Sequence, residues 1–307
     1  MNREWIKMVP ERWKSRKHYV DFQYKFAPDL FSFYRRYIDF KNKKILEIGC
    51  GMGGFSVFLA QKGARVVGVD SELYNKILNT AKKFAKLKGV KVDFKVVNAQ
   101  ELKFVDESFD ALVMNSVVEH LEKPFKVLSE CKRVLKPEGM LFVNFPLFYG
   151  PFGGHIDDFI KIPWYHLLPH RMVKQKLTNK KLKKGLLTGE NVMKVYNTLN
   201  RITIFNFKNY IKRLGLIVVA YKISPSMNTE GVRYLRSVQN ILRKKSLRKA
   251  LKTIFNLGDF FNLYSFVNFM ILLTFLPLAY LPYINEFFAG AVTMVIEKPA
   301  KRFKKLT

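Results

Sequence analysis

The sequence predicts an α/β protein built on a doubly wound, mostly parallel sheet, and three observations carry that reading. From Lys44 onward, short apolar runs rich in β-branched residues alternate with helical stretches: KILEIG, RVVGVD, VDFKVVN, FDALVMN and MLFVNFP. Alternation of that kind puts helices on both faces of a parallel sheet. The runs are continuously apolar rather than alternating, as expected of strands buried on both faces. The first run ends in a glycine-rich turn, ILEIGCGMGGF, followed at once by a helical pattern.

The elements between the strands follow in order. GGFSVFLAQKG is read as a helix beginning near Gly53, and a lysine-rich helix runs to Leu87. A further helix is read around Pro124 to Val134. Beyond Pro146 the pattern lapses into GPFGGHIDDFIKIPWYHLLPHR, read as a long loop with short helical turns. A helix from Phe205 to Arg213 then leads to the apolar strand LIVVAYKI, and AGAVTMVIEKP closes the series. The organisation expected is a helical, aromatic lid over 1–42 and a core over 43–225 with a basic insertion around 150–204. A basic amphipathic and apolar insertion (226–287) and a last strand with a basic tail (288–307) complete it.

The 307 residues carry 54 lysines and arginines against 24 acids, a formal charge of +30. Lysine enrichment from thermal adaptation would raise glutamate in parallel, so the imbalance points to polyanions: lipid headgroups, nucleic acid or phosphorylated molecules. Hydrophobic residues at 49% exclude a disordered chain. Cys50 and Cys131 form neither a disulfide framework nor a zinc-binding pattern. The first twenty residues are charged throughout, so no secretory signal is read there and a cytoplasmic setting is expected.

Chemistry is placed first at the glycine turn. Gly49 and Gly51 allow the backbone to turn tightly and approach a ligand with no Cβ in the way. Asp70 ends the next strand, where a carboxylate accepts from ribose hydroxyls. Gly49, Gly51 and Gly54 also satisfy GxGxxG, so a dinucleotide such as NAD competes on these residues alone.

Four ordered blocks, ILEIGCGMGG, NAQELKF, FDALVMNSVVEHL and RVLKPEGMLFV, together resemble the class I S-adenosylmethionine-dependent methyltransferases, in their broad small-molecule branch. The resemblance covers about Lys43 to Phe145, with weaker similarity to Ile223. It implies a seven-stranded Rossmann-like sheet with Leu216–Ile223 sixth and Ala291–Glu297 seventh and antiparallel. It implies S-adenosylmethionine as cofactor, bound by Glu47, Gly49, Gly51, Gly53, Asp70, Asn98, Ala99, Asn115, Ser116 and His120. Two positions depart from the family pattern: Asn98 replaces an aspartate, and Glu138 replaces the first glycine of the usual KPGG turn.

On the acceptor side, ligands of parallel sheets lie at the carboxyl ends of strands, which places His155 and Asp157 after the fifth strand. His155 is the candidate general base, the side chain there that titrates near neutrality. Asp157–Asp158 reads better as a helix N-cap than as a metal site, and no metal is expected. Trp164, Tyr165 and His166 are read as pocket wall or packing. The strand-four block NSVVEHL lacks the N/D-P-P-Y/F motif of base-nitrogen methylation, and neither cysteine is placed for cytosine C5 chemistry.

Phe260 to Asn285 contains no charged residue, yet one membrane crossing would strand the last β-strand away from its sheet. Upstream, Leu235, Val238, Leu242, Leu251 and Phe255 recur near helical spacing among Arg243, Lys244, Lys245, Arg248 and Lys249. A basic amphipathic helix beside an apolar stretch is the pattern of attachment to a membrane surface. The expected acceptor is a small molecule, lipid or lipid-linked compound at the inner membrane face, the alternative a nucleic acid gripped by its phosphates. A noncatalytic scaffold is the third reading, and oligomeric state is left open.

Overall fold

The computed structural model describes residues 5–71, 75–178, 182–224 and 285–300. The basic amphipathic run and the apolar stretch up to residue 284 lie outside these described residues.

The strands are β1 (Lys44–Ile48), β2 (Arg65–Asp70), β3 (Asp93–Val96), β4 (Phe109–Asn115), β5 (Leu135–Pro146), β6 (Ile217–Ser224) and β7 (Ala291–Glu297). They form one sheet in the order β3-β2-β1-β4-β5-β7-β6. The first five are parallel, while β7 runs antiparallel to both β5 and β6. The order reverses at β1, so the carboxyl ends of β1 and β4 open a crevice where ligands of such sheets bind.

Among the described residues, the helices of eight residues or more are α1 (Arg16–Tyr34), α2 (Gly54–Gln61), α3 (Asn75–Leu87), α4 (Pro124–Val134), α5 (His170–Leu177), α6 (Gly189–Thr198) and α7 (Ile204–Arg213). Local chemistry sets several starts. The side chains of Ser15, Thr188 and Thr203 accept from the backbone N–H three residues on, capping α1, α6 and α7. The amino end of α7 is closed further by Glu286, whose Oε1 accepts from Ile204 N–H at 2.6 Å and Phe205 N–H at 3.3 Å.

Alternate residues of the central strands feed two opposite layers. Leu46, Ile48, Met114 and Phe145 pack with Val127, Cys131, Phe207 and Ile211 of α4 and α7. Ile45, Val66, Val113 and Phe142 pack on the other face with Ala27, Leu30 and Tyr34 of α1 and Phe55 and Phe58 of α2. Burying a side chain of this size contributes roughly 1.5–3 kcal/mol, and these two layers hold most of the described apolar core.

Two details differ from expectation. The basic stretch after β5 contains α5 and α6, joined by a hairpin of Lys183–Lys184 and Leu187–Thr188. It has its own small core of Ile156, Ile160, Val173, Leu177, Val192, Met193 and Tyr196. Second, Asp158 begins no helix: its carboxylate accepts from Arg12 at 2.6 Å, Trp13 Nε1 at 2.7 Å and Lys184 at 3.0 Å. It thereby ties the N-terminal segment to the insertion. Glu138 stands with φ 61°, the left-handed backbone that a glycine would adopt without strain.

Candidate active site

The turn after β1 is shaped by its neighbours before any ligand is considered. The N–H groups of Gly49 and Cys50 both donate to the Val69 carbonyl, at 2.8 and 3.0 Å, curling the turn over the end of β2. Gly49 has φ 70°, and a Cβ there would lie 2.3 Å from Val117 Cγ2, so both conformation and space require glycine. Gly53 caps α2 with φ 79°. Helix α1 crosses directly above: a Cβ on Gly54 would meet the backbone of Val20 and Tyr24 at 2.7 Å.

Asp70 closes the turn from the side. Its Oδ2 accepts from Gly51 N–H at 2.7 Å and its Oδ1 from Ser71 N–H at 2.8 Å. Burial raises its carboxyl above the usual range, opposed by those two hydrogen bonds. Glu47 lies beneath the turn, only 3% exposed, with the Ser56 hydroxyl donating to its carboxylate. Burial, with a smaller contribution from Asp70, pushes its pKa up to about 8.

Around this turn several polar atoms lack partners. Gln23 Oε1 on α1 and Asn115 Nδ2 at the end of β4 are buried with no hydrogen bond, while Asn115 Oδ1 accepts from the Tyr34 hydroxyl at 3.0 Å. A buried donor and acceptor left open beside a carboxylate fit a ligand bearing both an ammonium and a carboxylate group. Ser116 follows with φ 54°, its N–H donating to the Asn144 carbonyl at 2.7 Å. Asn98 and Ala99 lie beyond the end of β3, where Asn98 Oδ1 accepts from Gln100 N–H at 2.9 Å.

A second group forms where the loop after β5 folds back over the sheet. His155, with φ 55°, brings Nε2 to 3.6 Å from Glu119 Oε1, and His120 Nε2 lies 3.7 Å from the same oxygen. The two imidazole rings meet edge to face at 5.0 Å. Burial opposes a charged His155, yet its pKa moves upward because the Glu119 carboxylate outweighs that. For His120, burial dominates and lowers the pKa. Asp157 is raised by burial and by the adjacent Asp158.

Glu119 escaped the sequence reading although it stands beside His120 in VVEHL. Its position is stiffened by Asn200, which donates from Nδ2 to the carbonyls of Val118 and Leu121 at 2.6 and 2.9 Å. Glu119's own carbonyl accepts from Asn200 N–H at 2.9 Å. His166 packs: its Nε2 donates to the Phe148 carbonyl at 2.6 Å, and burial brings its pKa down to about 4. Trp164 stacks on Phe287 and donates to its carbonyl at 3.0 Å.

A doubly wound sheet with a glycine turn, an acid ending β2 and an antiparallel seventh strand defines a Rossmann-like nucleotide-cofactor protein. Residues 46–143 match the methyltransferase domain family. With these blocks in their places on the sheet, residues 46–143, about a third of the chain, are similar to the class I S-adenosylmethionine-dependent methyltransferases.

Two curated relatives share the core. A ubiquinone biosynthesis O-methyltransferase of Dinoroseobacter shibae is 38% identical over 105 residues, covering 34% of this chain and 42% of that protein. One from Rhizobium etli is 38% identical over 100 residues, covering 33% and 40%. The chain thus spans less than half the length of the curated relatives it matches. Among solved structures, phosphoethanolamine N-methyltransferase 2 of Haemonchus contortus, in complex with S-adenosyl-L-methionine, has a TM-score of 0.51 at 16% identity. The match covers 96% of this chain and 60% of that one. The [4+2]-cyclase SpnF has a TM-score of 0.52 at 15% identity, covering 89% and 82%. That a cyclase shares the fold means the acceptor chemistry must be argued from the site.

Proposed function

We propose that the protein transfers the methyl group of S-adenosylmethionine to a hydroxyl of a small or lipid-like acceptor at a membrane face. The observation that carries this is the pairing of the Gly49–Gly53 turn with Asp70, beside the open amide atoms of Gln23 and Asn115. The bound sulfonium supplies the activated methyl group. Glu47, Gln23 and Asn115 then hold its methionine end, Asp70 and Gly51 its ribose, and Asn98 and Ala99 its adenine edge. Helix α1 covers the turn and keeps water from the transfer path.

His155 and Asp157 face the acceptor, with Glu119 and His120 beside His155. A hydroxyl must shed its proton to become a nucleophile, and this group is where the proposal places that event. The names of the curated relatives, O-methyltransferases of ubiquinone biosynthesis, support an oxygen acceptor. The membrane face is supported by an exposed patch on and before α5. Leu167, Leu168 and Met172 are exposed there together with Arg171, Lys174 and Lys176, a mix suited to anionic headgroups over acyl chains. Among the described residues, no helix is long and apolar enough to cross a membrane.

Two measurements test this. Calorimetry should show S-adenosylmethionine binding that weakens by roughly 10–100-fold in Asp70→Ala, the loss of one or two charge-assisted hydrogen bonds, with the circular dichroism spectrum retained. Unchanged affinity refutes the site. Labelled cofactor incubated with protein and a cell lysate should carry label into the lipid or small-molecule fraction. Label in RNA instead would reassign the acceptor.

A further inference from the structure

We propose that Glu119, His120 and His155 form a site for a divalent transition-metal cation on the acceptor side of the crevice. The proposal rests on the methyltransferase reading only for its purpose, and the cation site itself is measured independently.

The spacing of the three side chains suits ligation of one ion. One ligand atom from each residue can be chosen so that all three lie within 4.8 Å of one another. Glu119 Oε1 is 3.6 Å from His155 Nε2 and 3.7 Å from His120 Nε2. Two ligands each ~2.1 Å from a tetrahedral ion stand roughly 3.4 Å apart, so small side-chain shifts complete the arrangement. By contrast, 3.6 Å is too long for a hydrogen bond.

The polar bookkeeping points the same way. Glu119 is 4% exposed, and neither of its carboxylate oxygens has a hydrogen-bond partner; His155 Nε2 is also buried without one. A carboxylate withdrawn from water with no hydrogen bond, facing two imidazoles only at ion-pair range, is incompletely satisfied, and such adjacent groups accommodate an ion or water between them. The backbone holds them in place. Asn200 pins the turn carrying Glu119 and His120, and His155 sits in left-handed conformation at φ 55°.

Two imidazoles and one carboxylate select a zinc-like ion over magnesium or calcium, which take oxygen ligands. Three protein ligands also leave positions open, the arrangement of catalytic rather than structural sites. An acceptor hydroxyl entering an open position would lose its proton to solvent water, its oxygen staying on the cation with the electron pair. Histidine is then a ligand and not the final proton carrier. An acceptor with two adjacent oxygens would be favoured, because both can reach the ion.

The test uses the whole protein, stripped with a chelator and titrated with Co²⁺. The expected result is one Co²⁺ per chain, with visible absorption bands of a nitrogen-containing four- or five-coordinate site, displaced by Zn²⁺. Glu119→Gln and His155→Gln should each weaken binding by more than the roughly 100-fold seen on losing an outer partner. S-adenosylmethionine affinity, measured on the same samples, should stay within about twofold. Absence of the bands in the wild-type protein overturns the proposal even if the variants fail to fold. Equal Co²⁺ affinity in wild type and both variants overturns it as well. Loss of cofactor binding in the wild type, with Co²⁺ still bound, would instead sink the methyltransferase reading and leave the cation site standing.

Discussion

Glu47 makes the packing beneath the cofactor turn measurable. Its carboxyl is enclosed by β1, the turn and α2, and burial moves its pKa from 4.5 to about 8. Below pH 4.5 both folded and unfolded chains hold the proton. Between 4.5 and about 8 the unfolded chain releases it while the folded one keeps it, so stability falls as pH rises. Above about 8 both forms are ionised and the slope vanishes. Each pH unit inside the window is worth ~1.4 kcal/mol, so the whole window amounts to roughly 5 kcal/mol. Glu47→Gln keeps the shape and can still accept from Ser56, but it has nothing to titrate. Urea denaturation of the cofactor-free proteins at pH 5, 7 and 9 should show the variant gaining on the wild type by ~3 kcal/mol from pH 5 to 7. A further gain of about 1 kcal/mol should follow by pH 9. Other buried acids titrate in both proteins, so the difference between them isolates Glu47. Parallel pH curves would refute the idea that the folded protein holds this carboxyl neutral.

Gly49→Ala forces a Cβ to within 2.3 Å of Val117 Cγ2 at φ 70°. It should lower stability by roughly 2–4 kcal/mol, seen as a reduced urea midpoint, and a midpoint unchanged would mean the turn can relax. Replacing Leu167, Leu168 and Met172 together by serine should reduce flotation with anionic liposomes at least about tenfold while leaving cofactor affinity alone. Undiminished flotation would move the membrane contact away from this patch, toward other parts of the chain.

How much of this was legible in the sequence follows from the range of the interactions involved. The strands were readable because each is a local run: RVVGVD and FDALVMN are apolar over their own length, and their layer is set by a period of two. Ala291–Glu297 was placed correctly as the antiparallel seventh strand. Helix α5 is not legible because its buried positions are just Val173 and Leu177, one pair at helical spacing among basic residues, while Met172 faces outward. Its stability comes from packing on α6 and the loop before it, which no local window contains. Asp158 misled for a related reason. An acid pair after a glycine turn looks like a helix start, whereas its partners Arg12, Trp13 and Lys184 lie far away in the chain.

The acceptor group shows where local reading ends. In VVEHL, Glu119 looks like a solvated acid at the start of a helical turn, and such a residue needs no explanation. It becomes buried, without a hydrogen bond and at ion-pair distance from His155, when the loop after β5 carries that residue over it. The loop can do so because Gly154 lies flat against His166, where a Cβ would meet His166 Cβ at 2.3 Å. His166 is in turn held by the Phe148 carbonyl. Thus a packed histidine, a glycine and a strained backbone angle decide how close one imidazole comes to a carboxylate contributed by another strand's end. The glycine turn is written in contiguous residues because its shape is set by local backbone geometry. The acceptor group is assembled from side chains whose meeting depends on the loop, and that loop is the part of the fold able to vary without disturbing the sheet.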